Sequence, residues 1–168
     1  DYAACIARLS DVCDRYCTGG APQLRCDPAR GVAAVNGAGE AAMAAAGLDA
    51  GGSLVDVLER AAALPAGTVC YLMGIDREID NSAVLYGVST LRDAYKSNRR
   101  TLIMLAPSWT LPPEWRFDVL LMREERPSRI ELRGVVGTMA DAAGVTLSAD
   151  DYSGAVDAVA GLPAFAAE

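Results

Sequence analysis

Asp76, Glu78 and Asp80 alternate along the chain directly after the apolar run Thr68–Met73. Carboxylates so spaced can offer oxygen ligands to a hard cation, or simply line a solvated loop that leads into and caps the next helix. The chain has no histidine, so the commonest general base and the commonest metal ligand are both missing. Phosphate chemistry meets a firmer obstacle. A P-loop needs glycines whose amides wrap the phosphates, a lysine for the outer ones and a Ser or Thr for Mg²⁺. Lys96–Ser97 is the only pair of that type, and it follows Leu91, Arg92, Asp93, Ala94 and Tyr95 with no glycine nearby. The P-loop is absent, which excludes a self-sufficient ATPase.

Gly37, Gly39 and Ala42 match the loose dinucleotide pattern G-x-G-x-x-A after a short strand, and Asp56 stands near the spacing of a ribose-binding acid. Against that, Glu40 would face the pyrophosphate with like charge, and only a short helix fits before Gly47. The segment reads better as a glycine-rich turn than as a cofactor cradle. The five cysteines, Cys5, Cys13, Cys17, Cys26 and Cys70, contain no C-x-x-C pair. They read as small buried hydrophobes in a reducing cytoplasm rather than as metal ligands. Arg99–Arg100 and the run from Arg123 to Arg129 are basic spots interrupted by acids, typical of solvated faces or partner contacts.

What must position these residues is a globular α/β chain. At 168 residues with 52% hydrophobic content it can bury a core, and no run approaches a membrane span. A net charge of −7 repels polyphosphate backbones and anionic membranes, so neither nucleic acid nor membrane is an expected partner. Nothing at Asp1 resembles a signal peptide, and a cytoplasmic setting is expected. The missing initiator Met suggests that a segment precedes Asp1.

Helical spacing runs over residues 2–17 and stops at Gly19–Gly20; short strands are predicted at Gln23–Cys26 and Gly31–Val35, with Asn36–Gly37 as a tight-turn signal. A short helix follows over 40–46. Ser53 and Asp56 form a capping box before the stripe Leu54, Val57, Leu58, Ala61. Thr68–Met73 reads as a buried strand and 82–98 as a helix with Val84, Val88, Leu91 and Tyr95 inside. Thr101–Ala106 is the next strand, Pro112–Glu114 a helical turn, and Phe117–Met122 a third apolar strand. Ser128 with Glu131, and Ser148 with Asp151, open two last helices, and Ala164–Glu168 reads as another just starting. Alternating strands and helices imply a mostly parallel three-layer sheet carrying a small C-terminal helical lid.

From Thr68 to about Leu162 this series resembles the second half of an AAA+ ATPase module. Thr68–Asp76 is similar to the Walker B strand, and Thr101–Ser108 to the sensor-1 strand. Leu111–Leu121, with Arg116, Phe117 and Asp118, resembles the segment before the last strand, and Arg126–Glu131 the start of the lid. Leu91–Asp93, Arg99–Ile103, Pro107 with Pro112–Glu114, and Ala160–Leu162 are similar to the degenerate N-terminal ATPase-like domain of cyanobacterial and plastid-type AAA ATPases.

The resemblance implies a degenerate P-loop NTPase-like core over residues 1–126, lacking its first strand, and a lid over 127–168 that is cut short. It implies loss of chemistry as well: Gly74 stands where the Walker B acid belongs, Asp76 two residues later, and Pro107–Ser108 where sensor 1 ends in Asn. Arg116 keeps the place of an arginine finger, or is an ordinary surface charge. The candidate catalytic residues are therefore Asp76 and Arg116, the candidate nucleotide contacts Gly74, Asp76 and Ser108, and no metal ligand is assigned. The expected function is a non-catalytic AAA+-like domain for assembly, regulation or partner binding, partnered by other AAA+ domains or subunits in an oligomer. ATP and Mg²⁺ enter only with such a partner. The alternative is a nucleotide- or metal-dependent enzyme with an atypical site near Asp76 and Ser108.

Overall fold

The computed structural model describes residues 2–17, 19–49, 51–123 and 125–162. They divide into two units, one over Tyr2–Val119 and one from Leu120 onward. In the first, helix α1 (Tyr2–Tyr16) leads to strands β1 (Gln23–Asp27) and β2 (Gly31–Ala34), then helices α2 (Gly37–Ala46) and α3 (Leu54–Ala61). Strand β3 (Val69–Met73), helix α4 (Ser82–Asn98) and strand β4 (Thr101–Leu105) follow.

The four strands form one sheet in the order β2-β1-β3-β4. β1, β3 and β4 run parallel, while β2 is antiparallel to β1. The sheet is thus mixed: two of its three ladders are parallel, as expected, and β2 adds an antiparallel edge, because the loop between β1 and β2 is only Pro28–Arg30, too short for a crossover, so the chain must double back as a hairpin.

Because side chains alternate across a strand, β3 feeds two cores. Cys70 and Leu72 join Leu24, Cys26, Leu102 and Met104 against α2, α3 and α4. Val69, Tyr71 and Met73 face the other way with Ile103 and Leu105 against Ile6 and Leu9 of α1. All five residues of β3 are buried, which is why its sequence is an unbroken apolar run. The helices obey the sequence signals closely. Ser53 and Asp56 close a capping box, and α4 buries Val84, Val88, Leu91 and Tyr95.

Two local expectations change. Asn36 is not a hairpin corner; its side chain caps α2 by accepting from the Gly39 amide at 2.8 Å. Phe117–Met122 is not a strand. After a short 3₁₀ turn at Pro113–Trp115 the chain closes on itself, with the amides of Asp118 and Val119 both bonded to the Trp115 carbonyl. An apolar run becomes a strand only where a neighbour offers a ladder, and none runs beside it among the described residues.

The second unit carries α5 (Arg129–Ala143) and α6 (Ala149–Ala158) around Leu132, Val136 and Val156. Ser128 and Glu131 close a full capping box on α5, and Arg129 pairs with Asp157 at 2.6 Å. The Tyr152 hydroxyl donates to the Arg133 carbonyl. The helix expected at Ala164–Glu168 lies outside the described residues. No helix is long and apolar enough to cross a membrane among the described residues.

Candidate functional site at the carboxyl end of the sheet

The parallel strands β1, β3 and β4 discharge their loops at one end, where α/β sheets ordinarily bind ligands. Met73 and Leu105 are paired in register, and the Gly74 amide bonds the Leu105 carbonyl at 2.9 Å. Gly74 is left-handed (φ 67°) and turns the chain into the 3₁₀ segment Ile75–Arg77, whose Ile75 is wholly buried. Anchoring Ile75 in the core carries the next residue, Asp76, partly inward. Its Oδ1 is buried and has no hydrogen-bond partner among the described residues.

Tyr2, at the start of α1, reaches the same place. Burial and then the negative charge of Asp76 hold its hydroxyl above its ordinary pKa, while Arg77 and a hydrogen bond with the Gly74 backbone pull the other way. Tyr2, Gly74 and Asp76 therefore form one cluster. Tyr2 gave no signal in the sequence, because its partners lie more than seventy residues away.

The other sequence candidates do not converge on it. Ser108 is exposed beyond the end of β4. Arg116 is exposed next to Trp115, whose indole is 1% exposed and donates to the Leu85 carbonyl at 3.3 Å. No hydrogen bond or ion pair joins Ser108 or Arg116 to Asp76 among the described residues. Glu78 is half-buried and Asp80 exposed, and Asn81, not a carboxylate, caps α4 by accepting from the Ala83 amide. No trio of carboxylates or thiols approaches a metal-holding arrangement among the described residues.

The glycine motif sits at the opposite end of the sheet. β2 is antiparallel, so its last residue, Ala34, pairs with Leu24 near the start of β1, and α2 opens there. Asn36 Oδ1 already accepts from both the Gly39 and Gln23 amides, at 2.8 and 3.1 Å, and its Nδ2 donates to the Ala21 carbonyl. A Cβ on Gly39 would lie 2.2 Å from the Gln23 carbonyl oxygen. Gly39 thus serves a close helix–strand approach, and the α2 amides that would meet a pyrophosphate are partly spent on Asn36.

Lys96 is likewise at the wrong end. It stands in the last turn of α4, exposed, with Nζ 4.0 Å from Asp118 Oδ1. Neither Lys96 nor the glycine motif stands at the carboxyl end of the sheet. The topology agrees. α2, α3 and α4 all pack on one face, so successive parallel strands step in one direction across the sheet and no reversal opens a crevice.

One further feature was not legible in sequence. Gln23 and Tyr71, both buried, bond through Tyr71 Oη and Gln23 Oε1 at 2.8 Å, and Gln23 Nε2 reaches Asp14 at 3.1 Å. This ties α1 to β1 and β3, and burial first holds the Tyr71 hydroxyl well above its ordinary pKa. Cys26 and Cys70 are buried free thiols, pushed up to about 11 chiefly by desolvation, and so poorly nucleophilic. Cys5 and Cys13 are half-buried and Cys17 is exposed, so the buried-hydrophobe reading describes Cys26 and Cys70 alone. No family model, curated protein or solved structure matches this chain.

Proposed function

We propose that this chain is a non-catalytic, AAA+-like domain whose sheet serves assembly, regulation or partner binding of an AAA+ ATPase. The observation that carries this reading is the displacement of the lone lysine and the glycine motif from the carboxyl end of the sheet. Lys96 and Gly37–Gly39 lie at the amino end, and Gly74 occupies the turn where a magnesium-holding acid would be needed. An α/β core that keeps its capped helices and buried strands without those groups has architecture to offer, not phosphoryl transfer. ATP and Mg²⁺ would then come from a partner domain or subunit.

One observation favours a second reading, a nucleotide- or metal-dependent site near Asp76 and Ser108. A buried carboxylate oxygen without a partner costs stability and is retained where it meets a ligand. Calorimetric titration with ATP and Mg²⁺ separates the two. The assembly reading expects no heat of binding at micromolar concentration. Micromolar affinity that disappears in Asp76→Asn overturns it in favour of the second.

A further inference from the structure

β4 is the free edge of the sheet among the described residues, and it differs from β3 in how its residues are covered. β3 is buried throughout, whereas Thr101 is exposed and Leu102, Ile103, Met104 and Leu105 are only half-buried. The direction of its backbone groups follows from the ladder. The Thr101 amide bonds the Thr68 carbonyl and the Leu105 carbonyl accepts from Gly74, so residues 101, 103 and 105 point toward β3. Leu102 and Met104 therefore aim their N–H and C=O groups outward. Edge strands are usually blunted by charge, proline or a bulge to prevent pairing; Thr101–Leu105 contains no charge and no proline. Alongside it lies a groove of about 240 Å³ lined by Leu91, Leu102, Met104, Trp115 and Val119.

Charge is distributed unevenly along this edge. Arg99 and Arg100 stand at the amino end of β4, with Arg92 and Lys96 beside them on α4, the latter two already facing Asp118. Asp76, Glu78 and Asp80 stand at the carboxyl end, with Arg77 as the one opposing charge among them. A copy of the chain rotated by a two-fold axis normal to the sheet brings each basic end beside an acidic end.

We infer that β4 pairs with β4 of a second copy of this chain, antiparallel, to make one continuous eight-stranded sheet. The outward groups fix the register. Ile103 lies opposite its own copy on the axis, and Leu102 exchanges both backbone bonds with Met104 of the second copy. Helix layers of the same kind then meet across the axis, covering Leu102 and Met104 on one face and Ile103 and Leu105 on the other. This pairing is isologous, as closed dimers require. It depends on the sheet edge alone, so it stands or falls separately from the ATPase-like reading above.

Sedimentation equilibrium of the whole chain tests it, at concentrations up to about 0.5 mM, where even a small interface populates a dimer. The expected mass is twice 17.5 kDa at the upper end. Met104→Pro deletes an outward N–H and no ladder bond, so it gives a monomer over the same range while circular dichroism stays native and melting stays cooperative, at a lower midpoint because Met104 also packs against the core. Arg99→Glu with Arg100→Glu weakens association at least tenfold, and raised salt weakens the wild type in the same direction. A wild-type monomer throughout, or a dimer that survives Met104→Pro, overturns the inference. So does an edge that ignores its own copy yet binds an unrelated strand-forming peptide.

Discussion

The two ends of the sheet are built to different standards. At the amino end the buried polar side chains among the described residues are matched: Asn36 serves the Gly39 and Gln23 amides and the Ala21 carbonyl, and Gln23 bridges Tyr71 and Asp14. At the carboxyl end Gly74 turns the chain so that Asp76 buries an oxygen with no partner among the described residues, beside a tyrosine whose ionisation it opposes. Glycines serve both ends, by opposite means. Gly39 permits contact with a neighbouring backbone, whereas Gly74 permits a left-handed turn. A satisfied network marks architecture. An unsatisfied buried acid marks a place where stability has been given up.

The comparison breaks first at Gly39. A methyl group there meets the Gln23 carbonyl at 2.2 Å, and backbone cannot move aside as a flexible side chain can. Gly39→Ala is expected to lower the unfolding free energy by about 3 kcal/mol in urea titrations. Gly37 has nothing within 4 Å of its added Cβ, so Gly37→Ala should gain roughly 0.5 kcal/mol from helix propensity. Equal effects at the two glycines would mean that the motif is not a packing device.

A second test lies between the ends, in the buried thiols. Cys26 on β1 and Cys70 on β3 are raised from the ordinary 9.0 to about 11 by burial. A raised value keeps the neutral form in the folded chain. Below pH 9 both states are neutral and the contribution is whole. Between pH 9 and 11 the unfolded chain ionises first and is favoured, so stability falls as pH rises. The loss is roughly 2 kcal/mol for each thiol, read as a drop in urea midpoint across that window. Cys70→Ala should flatten part of that slope, and a slope unchanged by the substitution would sink the assignment.

How much of this was legible follows from the range of each signal. Helix limits rest on local caps and periodicity, so Ser53–Asp56, Ser128–Glu131 and the inner face of α4 could be read directly. Strand identity was also local where burial is two-sided, as in Val69–Met73. Strand existence at Phe117–Met122 was not, because it depends on a neighbour in space; Phe117 is instead 93% exposed. The antiparallel edge was legible in the short gap between the strands at Gln23–Cys26 and Gly31–Val35, since direction there is set by loop length and not by strand composition. In the site, Asp76 could be picked out as an acid after a buried strand, but Tyr2 could not, and Ser108 and Arg116 stand exposed with no bond to it among the described residues.

A smaller expected effect than those at Gly39 and the thiols is the most informative about the carboxyl end. Removing a buried acceptor that makes no bond relieves its desolvation cost instead of breaking a contact. Asp76→Ala is therefore expected to raise the unfolding free energy by about 1 kcal/mol, opposite in sign to the change at Gly39. A purely structural role for Asp76 would give a loss instead. Tyr2 supplies an independent readout, because the substitution removes the negative charge that opposes its ionisation. Its hydroxyl should then titrate at lower pH, followed through ¹³C-labelled tyrosine. If stability falls and the Tyr2 titration stays put, the carboxylate is matched in solution, and the two ends of the sheet are alike after all.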